Sequence, residues 1–175
     1  MTWPTHALLG MNTVWLLALL PPDVLRYDVG VLCAAAALGA LLPDLDANES
    51  KVKHLRIPGT PIKPFLPVAQ MVNSTDQHRG LLHSLWGVGM ACAFASPLCF
   101  IGAWAPALAF ALGYASHLLG DSATRSGIRL LYPHARRFHL LPLRWRLTTG
   151  SLAEDLFMEL LMFPVIVMLL LNLKP

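Results

Sequence analysis

Residues 80–120 read "GLLHSLWGVGMACAFASPLCFIGAWAPALAFALGYASHLLG" without one Asp, Glu, Lys or Arg. The run is too long for a single membrane-crossing helix, because a bilayer core of ~30 Å takes about 20 helical residues. Pro97, Gly102 and Pro106 supply breakers, so the stretch predicts two helices joined by a tight turn near 102–106. Outward from it, residues 1–22, 29–43 and 160–173 are also free of charged residues. Five spans follow, at roughly 6–20, 29–43, 82–101, 104–120 and 152–173, the first two of them short. The expectation is an all-α, polytopic membrane protein: one helical domain over residues 1–175 with about five transmembrane helices and interfacial cytoplasmic loops. Composition agrees, with 55% hydrophobic and 13% charged residues.

A cleaved leader is a poor reading of the first segment. Met1–Thr5 has no basic residue, and the apolar run ends in Leu-Leu-Pro-Pro without a small-x-small site. Cys33, Cys92 and Cys99 fall inside apolar spans with no CxxC spacing, so packing is expected of them rather than a disulfide or thiolate site.

The net charge of +3 is unevenly spread. Lys51, Lys53, Arg56, Lys63 and Arg79 lie between spans two and three, and Arg125, Arg129, Arg136, Arg137, Arg144 and Arg146 between spans four and five. Only Arg26 and Lys174 fall on the other side, so the positive-inside rule puts both long loops and the N-terminus in the cytoplasm. No aromatic-interleaved basic motif points to nucleic acid. The loops "IPGTPIKPFLPVAQMV" and "IRLLYPHARRFHLLPLRWRL" suit either the headgroup region of a bilayer or ordinary packing over helix ends.

Onto this topology the unusual polar residues map together. His6 opens span one, Asp44 and Asp46 close span two, and His78 and His83 open span three; His117 and Asp121 close span four, and Glu154 opens span five. In an up-down bundle, odd starts and even ends share one end. Carboxylates at helix C-termini and imidazoles at N-termini oppose the helix dipoles, and crowded carboxylates repel one another. A divalent cation relieves all of these conflicts, and ligands without thiolate suit Zn first, with Mn or Fe as alternatives. His117 and Asp121, four apart, share a helical face. Asp44 and Asp46 follow a proline stop, where extended backbone would send them to opposite sides, one as ligand and the other as orienter.

Each group also has a plain structural role open to it. His117 and Asp121 could hydrogen-bond on their helix, and Ser151 with Glu154 forms an S-x-x-E capping box. Arg79 is either a topology charge or the dock for an anionic substrate. His54, His134 and His139 read as surface or headgroup contacts, and Asn12 and Glu159 as bridges between helices.

With "THALLG", "LLPDLD", "HRGLLHS", "SHLLGDSATRSGIRLLYP" and "GSLAED" in that order, the chain resembles the YdjM-type family of LexA-regulated bacterial inner-membrane, metal-dependent hydrolases. The resemblance implies His6, Asp44, Asp46, His78, His83, His117 and Asp121 as the metal and catalytic set, with Thr124 and Gly127 shaping the loop after span four. A weaker similarity links "SHLLGD" to zinc-dependent phospholipase C. Gly127 stands about where those enzymes carry a further histidine, which argues against a trinuclear site and for one or two ions.

The expected function is hydrolysis of a lipid-borne bond, a phosphoester first, at the cytoplasmic leaflet of the inner membrane, with bilayer lipid as substrate and partner. Metal-activated water would attack, Asp46 or Asp121 would take its proton, Arg79 and loop arginines would hold phosphate oxygens, and His83 would belong to the same machinery. Ser84 is a less favoured nucleophile. The alternatives are a metal-ion or small-solute transporter, which would place ligands at mid-membrane, and a non-catalytic scaffold, which has no use for so many metal-type groups.

Overall fold

The computed structural model of the chain describes residues 1–17, 19, 26–46, 56, 59–61, 63 and 80–172, and for Asp46 and Asn172 the backbone alone. The helices are α1 (Trp3–Asn12), α2 (Val14–Leu17), α3 (Val29–Leu41), α4 (Leu85–Ala95), α5 (Pro97–Phe100), α6 (Trp104–Ser122) and α7 (Leu152–Asn172). Short 3₁₀ turns occupy Pro43–Asp46 and Leu143–Trp145. The described residues form no strand, only the isolated bridges Thr124 to Leu147 and Ile128 to Phe138. The fold is all-α, as expected.

The expected spans are interrupted. The first breaks at Thr13, whose hydroxyl donates to the Gly10 carbonyl at 2.7 Å and diverts it from the helical ladder. The third breaks at Ser96, since Pro97 brings no backbone N–H. Among the described residues no helix is long and apolar enough to cross a membrane. Polar groups occupy the ends of the two longest: α6 finishes on His117 and Asp121, and α7 carries Glu154, Asp155 and Glu159 in its first turns.

Small residues set the packing. A Cβ on Gly39 would lie 2.0 Å from the Phe110 carbonyl oxygen, and one on Gly113 would lie 2.0 Å from that of Ala36. Both exclude any side chain, so α3 and α6 approach backbone to backbone along a seam that also holds Ala36, Ala40 and Ala109. Leu32 and Cys33 cluster with Ala105 and Ala109, Ala36 meets Gly113, and Ala40 meets His117, so α3 and α6 run parallel. Gly10 of α1 packs on Ala36 and Ala40 in the opposite sense, beside Val14 near Leu32. Asn12 donates to the carbonyls of Leu8 and Leu161 at 2.8 and 2.9 Å, bridging α1 to α7 as its position suggested. The up-down order therefore brings the starts of α1, α4 and α7 to the ends of α3 and α6.

Residues 123–151 fold back over that end. The backbone N–H groups of Leu140 and Leu147 donate to the carbonyls of Ser122 and Ala123, at 2.9 and 3.0 Å. Thr124 caps the α6 terminus by donating its hydroxyl to the Asp121 carbonyl at 2.7 Å. Gly127 sits at φ +61° with no room for a side chain, because the Phe138 carbonyl oxygen would lie 2.7 Å from a Cβ there.

Candidate metal centre

The end of α3 leaves carbonyls without helical partners, and His117 uses one: its Nδ1 donates to the Ala40 oxygen at 2.6 Å. A carbonyl can only accept, so the proton of the neutral ring sits on Nδ1 and Nε2 presents a lone pair. That Nε2 lies 3.2 Å from His83 Nε2, 3.7 Å from Asp44 Oδ1 and 4.0 Å from Asp121 Oδ2. His83 Nε2 in turn lies 3.5 Å from Asp44 Oδ1 and 3.8 Å from Asp121 Oδ2. Ligand bonds of about 2.0–2.1 Å in a tetrahedron give edges of about 3.4 Å, and these separations run from just below that value to 4.0 Å.

The supports come from neighbouring elements. His83 directly precedes Ser84, whose hydroxyl accepts from Trp86 N–H at 3.2 Å and donates to the Leu81 carbonyl at 2.6 Å, which starts α4 and leaves Ser84 acting as a cap. Tyr114 ties this loop to α6 by donating to the Leu82 carbonyl at 2.7 Å. Asp44 is carried on the 3₁₀ turn anchored by Leu45, which is buried against Leu38, Leu41, Leu42 and Leu82. Asp44 and Asp46 thus share a 3₁₀ turn rather than the extended backbone expected of them. Burial pushes the Asp44 carboxyl up, but the hydrogen bond from His83 and the imidazoles of His117 and His6 outweigh it and hold it well below the usual carboxylate range.

His6 is fully buried and stacked on His117, with ring centroids 3.7 Å apart and planes 17° from parallel. Its Nε2 is 3.2 Å from Asp121 Oδ1, but neither ring nitrogen makes a hydrogen bond among the described residues. Asp121 Oδ1 also accepts from the Met1 ammonium at 2.6 Å, leaving Oδ2 toward the two histidines. Two donor sets result, His6/Asp44/His117 and His83/His117/Asp121, each offering atoms within 4.8 Å of one another.

The donor chemistry fits a divalent cation. The His117 lone pair meets His83 Nε2 with carboxylate oxygens of Asp44 and Asp121 close by, and the buried His6 imidazole leaves its nitrogens unused, a costly arrangement that a cation at the centre relieves. Of the sequence-derived set, His6, Asp44, His83, His117 and Asp121 come together. His78 and Arg79, like His54, lie outside the described residues, as does the side chain of Asp46. Glu154 is engaged elsewhere: its Oε1 accepts from Thr2 N–H at 2.5 Å and its Oε2 from Gly150 N–H at 2.7 Å. It therefore clamps the start of α1 to the start of α7, and its own N–H reaches the Ser151 hydroxyl at 3.4 Å, the expected cap. Sequence reasoning missed the Ala40 carbonyl, whose role depends on no side chain. The signal was its place in the last turn before Pro43.

The chain matches the YdjM inner membrane protein family over residues 1–173. It is 32% identical to YvsG of Bacillus subtilis over 130 residues, covering 74% of this chain and 72% of that protein. It is 34% identical to the inner membrane protein YdjM of Escherichia coli over 125 residues, 69% of this chain and 59% of that protein, and equally so to YdjM of Shigella flexneri. The match thus spans less than two thirds of the YdjM proteins' length. No solved structure matches.

Proposed function

Because the chain belongs to the YdjM inner membrane protein family, we propose that it is a metal-dependent hydrolase seated in that membrane, cleaving a phosphoester of a lipid. The observation that carries the reading is the His117 lone pair held against Asp44, His83 and Asp121 at metal-ligand spacing. Since Nδ1 of His117 is committed to Ala40, both donor sets share its Nε2, and one lone pair serves one cation. A single ion, zinc first, is therefore proposed. It would supply Lewis acidity to a phosphoryl oxygen and an acidified water.

The chain's own residues supply the rest. Ala40 fixes the His117 ring, Met1 holds one oxygen of Asp121, and His6 backs His117 through its stacked face. Asp44, a quarter exposed beside fully buried histidines, marks the opening to substrate. Asp46, next along the same turn but one, is the proposed proton acceptor, and Arg79 the proposed phosphate partner.

Membrane seating has its own support. Trp86, Met90 and Phe94 on α4, and Leu156, Leu160, Phe163 and Leu170 on α7, are exposed large apolar side chains. Such surface is unusual for a protein bathed in water and suits acyl chains. The concentration of basic residues in the two long loops supports a cytoplasmic, headgroup-level position for the cluster.

The test measures bound metal and phosphate or headgroup release from a phospholipid panel, for the wild-type protein and His117→Ala. The expected result is about one zinc per chain and turnover in the wild type, with both lost in the variant. Retention of both in His117→Ala overturns the site. A wild type that binds metal and cleaves no lipid overturns hydrolysis and favours metal carriage.

A further inference from the structure

The segment that folds over the metal-ligating end carries two adjoining cavities. The first, about 690 Å³, is lined by Arg136, Arg137, Arg146, His134 and His139 against an apolar wall of Leu130 and Phe138. Among the described residues no carboxylate lines it. Arg137 gives one N–H to the Ser126 carbonyl at 2.7 Å and Arg146 gives its Nε–H to the Leu141 carbonyl at 2.9 Å. A guanidinium has five N–H donors, so most of theirs stay available. Arg136 makes no hydrogen bond or ion pair among the described residues. Three cations without a counter-charge among the described residues, in one concave site, are matched by a ligand bearing about two negative charges and several acceptor oxygens.

The second cavity, about 510 Å³, shares Leu130, Leu131 and His134 with the first and is otherwise walled by Leu85, Trp86, Tyr132 and Pro133. Among the described residues no Asp, Glu, Lys or Arg lines it, and Trp86 is 66% exposed at its edge, leading onto the apolar face of α4. Beyond the basic cavity, Leu140, Leu143 and Trp145 also project from the segment. A cationic chamber joined by a leucine wall to an apolar, aromatic one has the polarity pattern of an amphiphile.

We propose that the paired cavities seat a phosphate-headed lipid, its phosphate among Arg136, Arg137 and Arg146 and its acyl chain along Leu131 and Trp86. A free phosphate would use the first chamber and leave the second without purpose. The seat is tied to the metal-ligating residues through backbone: Leu85 N–H donates to the Leu130 carbonyl at 3.0 Å, two residues after His83. Its role in presenting substrate rests on the hydrolase reading, whereas lipid binding does not.

The full chain in phosphatidylcholine nanodiscs is titrated with inorganic phosphate, dihexanoyl phosphatidate and dioctanoyl phosphatidate, with tryptophan fluorescence or calorimetry as readout. Affinity is expected to rise with chain length, with inorganic phosphate weakest. Arg136→Gln combined with Arg137→Gln is expected to weaken both phosphatidates by about tenfold. Trp86→Ala is expected to remove the gain from the longer chain while leaving the dihexanoyl lipid within about twofold. Thermal unfolding followed by circular dichroism reports whether each variant keeps its fold. Equal affinity for inorganic phosphate and dioctanoyl phosphatidate, or unchanged lipid binding in the arginine variant, overturns the proposal. Binding with these signatures but no hydrolysis sustains the seat and defeats the hydrolase reading. Hydrolysis with an unaltered KM in the arginine variant does the reverse.

Discussion

Glu154→Gln separates a clamp from a ligand. In the wild type both carboxylate oxygens of this buried side chain accept backbone N–H groups, from Thr2 and from Gly150. A glutamine keeps the shape but turns one acceptor into an –NH₂, which then faces a second donor. One charge-assisted bond is weakened to a neutral one and the other is lost with its N–H left buried, a cost of about 2–4 kcal/mol. For a chain of this length that corresponds to a fall in Tm of about 5–15 °C. Burial alone would raise the Glu154 carboxyl, but the two backbone donors and the nearby Met1 ammonium outweigh it and hold it below its ordinary value of 4.5. A lowered folded-state pKa stabilises above the unfolded value and is lost as pH falls through the folded one. The gap between wild type and Glu154→Gln is therefore expected to be constant near neutrality and to close progressively below about pH 4.5. Thermal unfolding followed by circular dichroism over pH 3–8, with elemental analysis of the same samples, measures both quantities. Loss of metal at an unchanged Tm would refute the clamp and return Glu154 to the ligand set.

Gly113→Ala puts a methyl 2.0 Å from the Ala36 carbonyl, and since backbone must give way, a loss of roughly 3 kcal/mol or more is expected, read as a fall in Tm or in folded yield. Asn12→Ala removes both bridges to α1 and α7 carbonyls and is expected to cost about 1–2 kcal/mol with metal content unchanged. Chelation of the wild type is expected to lower Tm, by an amount corresponding to about 4 kcal/mol if the ion had been present at a thousand times its Kd, and re-addition to restore it. His117→Ala should show no such response to chelator.

Much of the site could be read from the sequence because helix ends are marked locally. Pro43 stops α3 just before Asp44, Ser84 caps α4 just after His83, and the i, i+4 spacing of His117 and Asp121 fixes a shared face. Alternation of direction then gathers those ends without knowledge of any contact. What the sequence concealed depends on backbone partners and on close approach. The Glu154 carboxylate reads as either a ligand or a helix cap until Thr2 and Gly150 are seen to occupy it. Gly39 and Gly113 look like ordinary apolar-helix glycines until α3 and α6 meet across them. The expectation of five continuous spans failed at Thr13 and Ser96, where a hydroxyl and a Ser-Pro step outweigh hydropathy. The cavities of the arginine-rich segment arise from non-local bridges such as Ile128 to Phe138, which periodicity does not encode.

The hydrogen bond from His117 to Ala40 makes the inward-facing lone pair a property of the docked helices, so capture of the proposed ion would depend on assembly order. Before α3 and α6 have docked, the imidazole is free to take either tautomer and its partners are scattered along the chain. Only the seated helix pair turns the correct nitrogen inward. A metal site completed in this way would take up its proposed ion only after the core has formed.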